Sequence, residues 1–381
     1  MIIQGAENCK VYNSYNNSSQ KNTSAQKYPL AKQLRKFHFR KPASNQNHAS
    51  YETDQYLADL LDVVKVRSLA VGVGGAGNNS ISRLQETNLS EMRTLNINTD
   101  AKDLYFSNAD KKILIGRDVC NGLGSGNDPN IGEIAAEEDI ERIHNALDAD
   151  IIFLTCGLGG GTGTGAAPLI AREAKKNGSI VVSFCTIPFQ SEGSTRRQRA
   201  KEGLESLIQY SDTLIPIPND NLLSIIPNAP LLTCFKVLDE VIVRSLAEII
   251  SLIHKCGVVN IDYADVRKIL KKKGSLPSGL IGVTESLGEK ADLKRKAKLA
   301  VNNPLLKPNI GEIDDCLVSI TGNHQMSLSK IDHVISTISK EIPENSHLKF
   351  GTSIDPTIGS KIRITFMANG HVSPYVKSLQ K

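Results

Sequence analysis

Two glycine clusters and one acidic segment are where this sequence could do chemistry. The first cluster is Gly72, Gly74, Gly75 and Gly77, followed by Asn78 and Asn79. The second is Gly157, Gly159, Gly160, Gly161, Gly163 and Gly165, interleaved with Thr162 and Thr164. Glycine admits positive φ and lets backbone N–H groups approach an anion, so glycines between a strand and a helix can cradle phosphate. The first cluster, with Asp100 further on, also fits a dinucleotide-binding turn or a plain strand-to-helix turn. The second is harder to read as a turn, because six glycines in nine residues carry a large entropic cost. No Lys-Ser/Thr pair follows it, which excludes the ordinary P-loop. A cradle without that lysine must rely on N–H groups, hydroxyls and the helix dipole.

The remaining candidates have bland readings beside sharp ones. Asn260, Asp262 and Asp265 form an acidic segment that, by itself, reads as a helix start: a capping Asn and two acids in the first turn. Glu192 and Arg196 have the spacing of an ordinary i,i+4 ion pair, and Asp239 could be a solvated helix residue. Seven cysteines, odd in number and without C-x-x-C spacing, fit reduced thiols in a cytoplasm rather than a disulfide framework or zinc site. No metal-ligand set is read from the sequence.

Elements able to position these groups follow from the apolar pattern. Runs at 69–73, 94–98, 112–115, 151–154, 180–186 and 213–216 have the length of buried strands, and helix-like stretches at 79–86, 132–147 and 166–176 lie between them. Such alternation predicts an α/β fold: a mostly parallel sheet covered on both faces, with ligands beyond the carboxyl ends of its strands. Residues 231–255 predict a long central helix of roughly 40 Å, apolar on most sides and therefore packed between two layers. Strands at 316–320, 348–353 and 361–368 around a helix at 327–342 predict a smaller α+β domain. The expected organisation is a tail over 1–50, a short docked helix over 51–65, a nucleotide-binding domain over 66–230, the central helix over 231–256, the second domain over 257–370 and a short tail over 371–381.

Charge separates the tail from the body. Residues 1–50 hold eight basic side chains and one acid, leaving 37 basic and 39 acidic groups in 51–381. A slightly acidic body argues against a nucleic-acid binder, whose basic footprint should lie on the folded face. The Asn-, Ser- and Gln-rich tail is expected to be disordered. As a transit peptide it is poor in arginine and lacks an amphipathic period. No apolar run reaches the roughly 18–20 residues of a membrane span, and no secretory signal is read.

The second glycine cluster, Gly-Gly-Gly-Thr-Gly-Thr-Gly, resembles the signature of the tubulin/FtsZ superfamily of GTP-dependent filament proteins. The resemblance runs from Val66 to about Gly370 and includes 72–79, Asn98-Thr99-Asp100-Ala101, Gly122-Leu123-Gly124-Ser125-Gly126, 157–168, 188–196, Ile217-Pro218-Asn219-Asp220 and 260–266. Details such as Gly75-Ala76-Gly77-Asn78-Asn79 are similar to archaeal FtsZ. The resemblance implies that Gly74, Gly75, Gly77, Asn78, Gly159, Gly160, Gly161, Thr162, Gly163, Thr164 and Gly165 hold GTP or GDP phosphates. It places Asp100, Gly124 and Gly126 in the nucleotide site, the two glycines near the γ-phosphate, and Glu192 and Arg196 at the ribose. Asn219 and Asp239 would read the guanine edge, with Phe235 against the base. Asn260, Asp262 and Asp265 would act across a subunit interface, the aspartates polarising water on the neighbour's γ-phosphate, with Mg²⁺ balancing charge.

The implied protein is a GTPase that assembles head to tail into a homopolymer for a cell-division ring at mid-cell, tethered by a membrane-anchor adaptor, with no nucleic-acid partner and no direct membrane span. A scaffolding or cell-shape paralogue is the alternative within the family. From another class, a dinucleotide-dependent oxidoreductase explains the first glycine loop but neither the second nor 260–265. Two departures from the family pattern are a longer, cationic turn at 271–279 and Ser125 and Asn127 near the γ-phosphate position.

Overall fold

The apolar runs become strands where their side chains can be covered on both faces. In the computed structural model, residues 65–87, 91–254, 257–271, 277–369 and 373–377 are described. The expected tail over 1–50 and docked helix up to residue 64 lie outside them. Six strands form the first sheet: β1 (Ser68–Val73), β2 (Met92–Asn98), β3 (Lys111–Leu114), β4 (Ile151–Gly157), β5 (Ile180–Ile187) and β6 (Thr213–Pro218). They run in the order β3-β2-β1-β4-β5-β6, all parallel. Val71 pairs in register with Leu95 on one side and Leu154 on the other. Strand order reverses between β1 and β4, so the loops leaving those two strands flank a crevice.

Helices cover both faces. Apart from the short turns of helix at Arg117–Cys120 and Asn221–Ile225, they are in chain order α1 (Gly74–Gln85), α2 (Ala101–Phe106), α3 (Pro129–Glu138), α4 (Ile140–Ala146), α5 (Thr162–Lys176), α6 (Ser194–Tyr210), α7 (Leu231–His254) and α8 (Tyr263–Leu270). One core, around Leu95, Ile152, Leu154, Ile170 and Leu207, lies between the sheet and α3 to α6. The other begins at Phe153 and Phe184, passes through Leu238, Ile242, Leu246 and Ile249 of α7, and continues into the second domain at Ile320 and Phe366. The long helix is thus packed between two layers, as its apolar girth predicts.

The second domain is a sheet of β7 (Gly279–Ser286), β8 (Asp315–Gly322), β9 (His347–Ile354) and β10 (Ile362–Asn369) with helices α9 (Lys290–Val301) and α10 (Leu328–Ser339). Its order is β7-β10-β8-β9, antiparallel except for the β8–β9 pair. Three differences from the sequence reading have physical causes. The stretch 132–147 is two helices, because Asp139 leaves helical geometry at φ −106° and its carboxylate accepts from Gly116 N at 3.0 Å and pairs with Arg142. Strand β7 alternates too weakly to announce itself, and α9 is dominated by lysines. The turn of helix Pro374–Lys377 lies in the segment read as a tail, with Val376 fully buried.

Candidate functional site

Both glycine clusters end at helix starts that lack a side-chain cap. Helix α1 follows Val73, and α5 follows Gly161; neither preceding residue caps the first turn. Their free N–H groups and dipoles therefore favour an anion. Gly74 holds φ +69°, which turns the chain straight from β1 into α1. Gly77 has a different task. A Cβ there would collide with the carbonyl oxygen of Thr155, so its absence lets α1 lie against β4.

These starts open onto a cavity of about 630 Å³ beyond the carboxyl ends of β1, β2, β4 and β5. Gly74, Gly75, Asp100, Gly124, Gly126, Gly160, Gly161, Thr162, Gly163, Glu192, Arg196, Asn219, Phe235 and Asp239 all line it. Gly77, Asn78, Gly159, Thr164 and Gly165, expected at the phosphates, lie outside the lining and support it. Thr164 Oγ1 accepts from Gly159 N at 2.8 Å, fixing the second loop. With its amide oriented by its surroundings, buried Asn78 donates to Gly72 O and accepts from Asn98 Nδ2, both at 3.0 Å.

The phosphate-like end is knitted by hydroxyls. Thr162 Oγ1 lies 2.6 Å from Thr99 Oγ1 and 3.0 Å from Ser125 Oγ, joining the loop after β2, the 121–128 loop and the start of α5. Gly124 and Gly126 take φ of +84° and +60° in that middle loop, and Gly124 N donates to Thr99 O at 3.2 Å. Asp100 caps α2 by accepting from Asp103 N at 2.9 Å.

The opposite end suits a flat heterocycle. Phe235, 41% exposed, meets Phe189 edge-on with ring centres 6.3 Å apart. Asp239 Oδ1 accepts from Ser80 Oγ at 2.7 Å, and burial raises its carboxyl above the ordinary carboxylate range, against the Ser80 hydrogen bond and the Arg83 charge. Asn219 Oδ1 is buried with no hydrogen-bond partner. Two acceptors beside an aromatic face match a base whose edge donates from a ring N–H and an amino group, as guanine does. Adenine would present a ring acceptor to the carboxylate. Arg196 and Glu192 form the predicted ion pair at 3.0 Å on the cavity wall, and Glu192 also accepts from Phe189 N at 2.8 Å.

Ser80 and Asp103 also line the cavity and were absent from the sequence reading, which named Thr99, a third lining residue, within a motif but gave it no role. The helical step from Ala76 to Ser80 was the available signal for the first. Cys156 is in the lining too, but burial pushes its thiol up to about 12, which suits packing rather than nucleophilic work.

Asn260, Asp262 and Asp265 are not in the cavity lining. They lie past the far end of α7, the helix that carries Phe235 and Asp239 at its near end. From Asp239 to the end of α7 is on the order of 20 Å. Asp262 occupies the N-cap position of α8, but its exposed carboxylate caps nothing. Asn260 Oδ1 accepts from Gly257 N at 3.4 Å, and Asp265 pairs with Lys349. Cavity and acids therefore belong to different surfaces of the subunit.

Comparison with known proteins agrees with this geometry. Residues 67–227 match the family model for the tubulin/FtsZ GTPase domain, and 278–371 match the FtsZ C-terminal domain. The cell division protein FtsZ of Methanothermobacter thermautotrophicus is 40% identical over 337 residues, covering 88% of this chain and 87% of the relative. FtsZ 1 of Thermococcus kodakarensis is 42% identical over 325 residues, covering 85% and 86% respectively. An empty FtsZ dimer structure from M. jannaschii superposes with a TM-score of 0.75 at 41% identity, over 83% of this chain and 91% of that one. CetZ1 of Haloferax volcanii, at 21% identity and a TM-score of 0.70 over 82% of this chain and 97% of that one, shares the fold. A glycine-lined cavity at the strand-order switch, a long helix beneath it, a second domain of FtsZ type and these identities place this chain in the FtsZ family of tubulin-like GTPases.

Proposed function

We propose that this chain is a self-assembling GTPase of cell division whose catalytic sites form between successive subunits. One observation carries the reading: the nucleotide cavity and the Asn260–Asp262–Asp265 acids lie at opposite ends of α7. A single subunit can hold GTP, but its acids are out of reach. Head-to-tail stacking would bring them to the neighbour's γ-phosphate. The M. jannaschii relative has been described as a dimer and a CetZ2 as a protofilament, which supports self-association here.

In this reading the loops at 74–76, 124–126 and 160–163 receive the phosphates through N–H groups and hydroxyls. Asn219, Asp239 and Phe235 hold guanine, and Glu192 and Arg196 border the ribose. Asp262 and Asp265 of the next subunit orient water and accept its proton as phosphate is transferred. Positioning and electrostatics dominate phosphoryl transfer, so supplying acids in trans ties turnover to assembly. Among the described residues no group of three or more His, Cys, Asp or Glu could hold a metal. Mg²⁺ taking most of its ligands from phosphate and water still fits the oxygen donors Thr162, Ser125 and Asp100. When bound, it would neutralise triphosphate charge.

No helix among the described residues is long and apolar enough to cross a membrane. On the family resemblance, we assign recruitment to the mid-cell membrane to an anchoring adaptor. The reading is tested with Asp262→Ala. Nucleotide binding, followed by a fluorescent GDP analogue, should match wild type, while phosphate release from assembled protein should nearly vanish. Normal release by this variant would remove the in-trans role.

A further inference from the structure

The Asp265 carboxylate is paired with a lysine on another element, and that lysine has no part in the scheme above. Strand β9 is the edge of the second sheet, bonded in its ladder to β8 alone. Its other side is taken by the segment leading to the acids. Val258 N donates to Thr352 O at 2.7 Å, Thr352 N to Val259 O at 3.0 Å, and Val259 N to Thr352 Oγ1 at 3.2 Å. Gly351 makes this seat possible, since a Cβ there would lie 2.5 Å from the side chain of Ile261. Strand β9 is therefore the platform on which the acidic segment is set.

Lys349 stands two residues before Gly351, on the same face of β9 by strand alternation. Its Nζ pairs with Asp265 Oδ1, with side-chain exposures of 52% and 21%. As a stabilising contact such a half-exposed pair is worth little. Its place matters more. Asp262 and Asp265 would bring two negative charges toward a polyanionic triphosphate, and like charges brought together raise the cost of docking. An ammonium held on one of those acids reduces the acidic face from two net charges to one. The same contact fixes where the Asp265 oxygen points.

Resting on the in-trans reading, we propose that Lys349 is a positioning residue for GTP hydrolysis: it orients Asp265 and offsets its charge as the acids meet the neighbouring subunit's γ-phosphate. The test uses full-length Lys349→Gln and Lys349→Arg, with Asp265→Ala as reference. Loss of one such charge from an electrostatically governed site should lower kcat of assembled Lys349→Gln roughly tenfold. Fluorescent GDP binding and the thermal midpoint should stay at wild-type values, and Lys349→Arg should recover most of the turnover. A purely structural pair would give the same loss in the Gln and Arg variants or lower the thermal midpoint, and either result overturns the proposal. So does wild-type or faster turnover by Lys349→Gln. Should Lys349→Gln fail to pellet with GTP, a mixture containing a minority of the variant in wild-type filaments gives the readout, and turnover at the undiluted wild-type rate there overturns the proposal. If Asp265→Ala turns over normally, the in-trans reading has failed. If Asp265→Ala is inactive and Lys349→Gln is not impaired, only the role of Lys349 has failed.

Discussion

At the scale of single residues, the base recognition proposed above rests on Asp239, an acid held where water would otherwise serve it. Burial raises the Asp239 carboxyl, partly opposed by the Ser80 hydroxyl and Arg83. Between the ordinary carboxylate range and that raised value, the folded chain keeps a proton that the unfolded chain has lost. Stability therefore falls as pH rises through the window. Guanine binding runs the other way, because the ionised carboxylate is the form that accepts two hydrogen bonds. Affinity for GDP, measured by titration calorimetry on wild-type protein, should weaken as pH is lowered into the window. Asp239→Asn should bind GDP roughly 10- to 100-fold more weakly, from a charged hydrogen bond of about 1.5–3 kcal/mol, and lose that pH dependence. If the Asn variant keeps the dependence, the titrating group is elsewhere. The sequence left Asp239 undecided between a solvated residue and a base contact, since nothing in the residues themselves says what faces the middle of a helix. Its Ser80 partner, 159 positions away in the chain, and its place in the cavity lining appear only after folding.

At the scale of elements, the glycine loops mix two requirements that the sequence presents as one. Strand positions were legible because buried parallel strands must be apolar, and the observed β1, β4, β5 and β6 differ from the runs 69–73, 151–154, 180–186 and 213–216 only at their ends. Helices α1 and α5 start earlier than expected, at Gly74 and Thr162, because each glycine turn runs directly into its helix without a side-chain cap. Glycine spacing could not reveal which glycines line the cavity and which let α1 and α5 approach the sheet. Strand β7 and helix α9 were illegible for plainer reasons: β7 is buried or half-buried along its length and does not alternate, and the buried stripe of α9 is two alanines, a leucine and a valine among exposed lysines. The two glycine roles should separate experimentally. Gly77→Ala places a methyl against the backbone of β4, which cannot retreat as a side chain could. Overpacking of this kind costs about 1–3 kcal/mol, or on the order of 1–2 °C of thermal midpoint per kcal/mol in a chain of this size. At Gly160 the nearest atom to an added Cβ is 4.0 Å away, yet the residue lines the cavity. Gly160→Ala should keep the wild-type midpoint in a melting curve and weaken GTP binding. A drop in midpoint for Gly160→Ala without a change in binding would reverse the assignment.

For the whole molecule, the separation of cavity from acids makes a prediction that no property of an isolated subunit can mimic. In a head-to-tail polymer each catalytic site takes its cavity from one chain and its acids from the next. Asp262→Ala keeps a competent cavity but offers its neighbour an incomplete acid pair. Asp239→Ala keeps the acids but binds guanine poorly. Each variant alone should hydrolyse GTP slowly, the first at any GTP concentration and the second at concentrations that saturate wild type. Mixed in equal amounts, they create interfaces in which an intact cavity meets intact acids. Random heterologous stacking makes this arrangement at about a quarter of the interfaces, so the mixture should recover up to about a quarter of wild-type phosphate release. The recovery should require co-assembly, appearing only above the concentration at which the mixture pellets. Sites complete within one chain would give no recovery at any ratio, because neither variant would contain a whole site. The recovered fraction thus distinguishes a shared site from a self-contained one without depending on how fast either variant assembles.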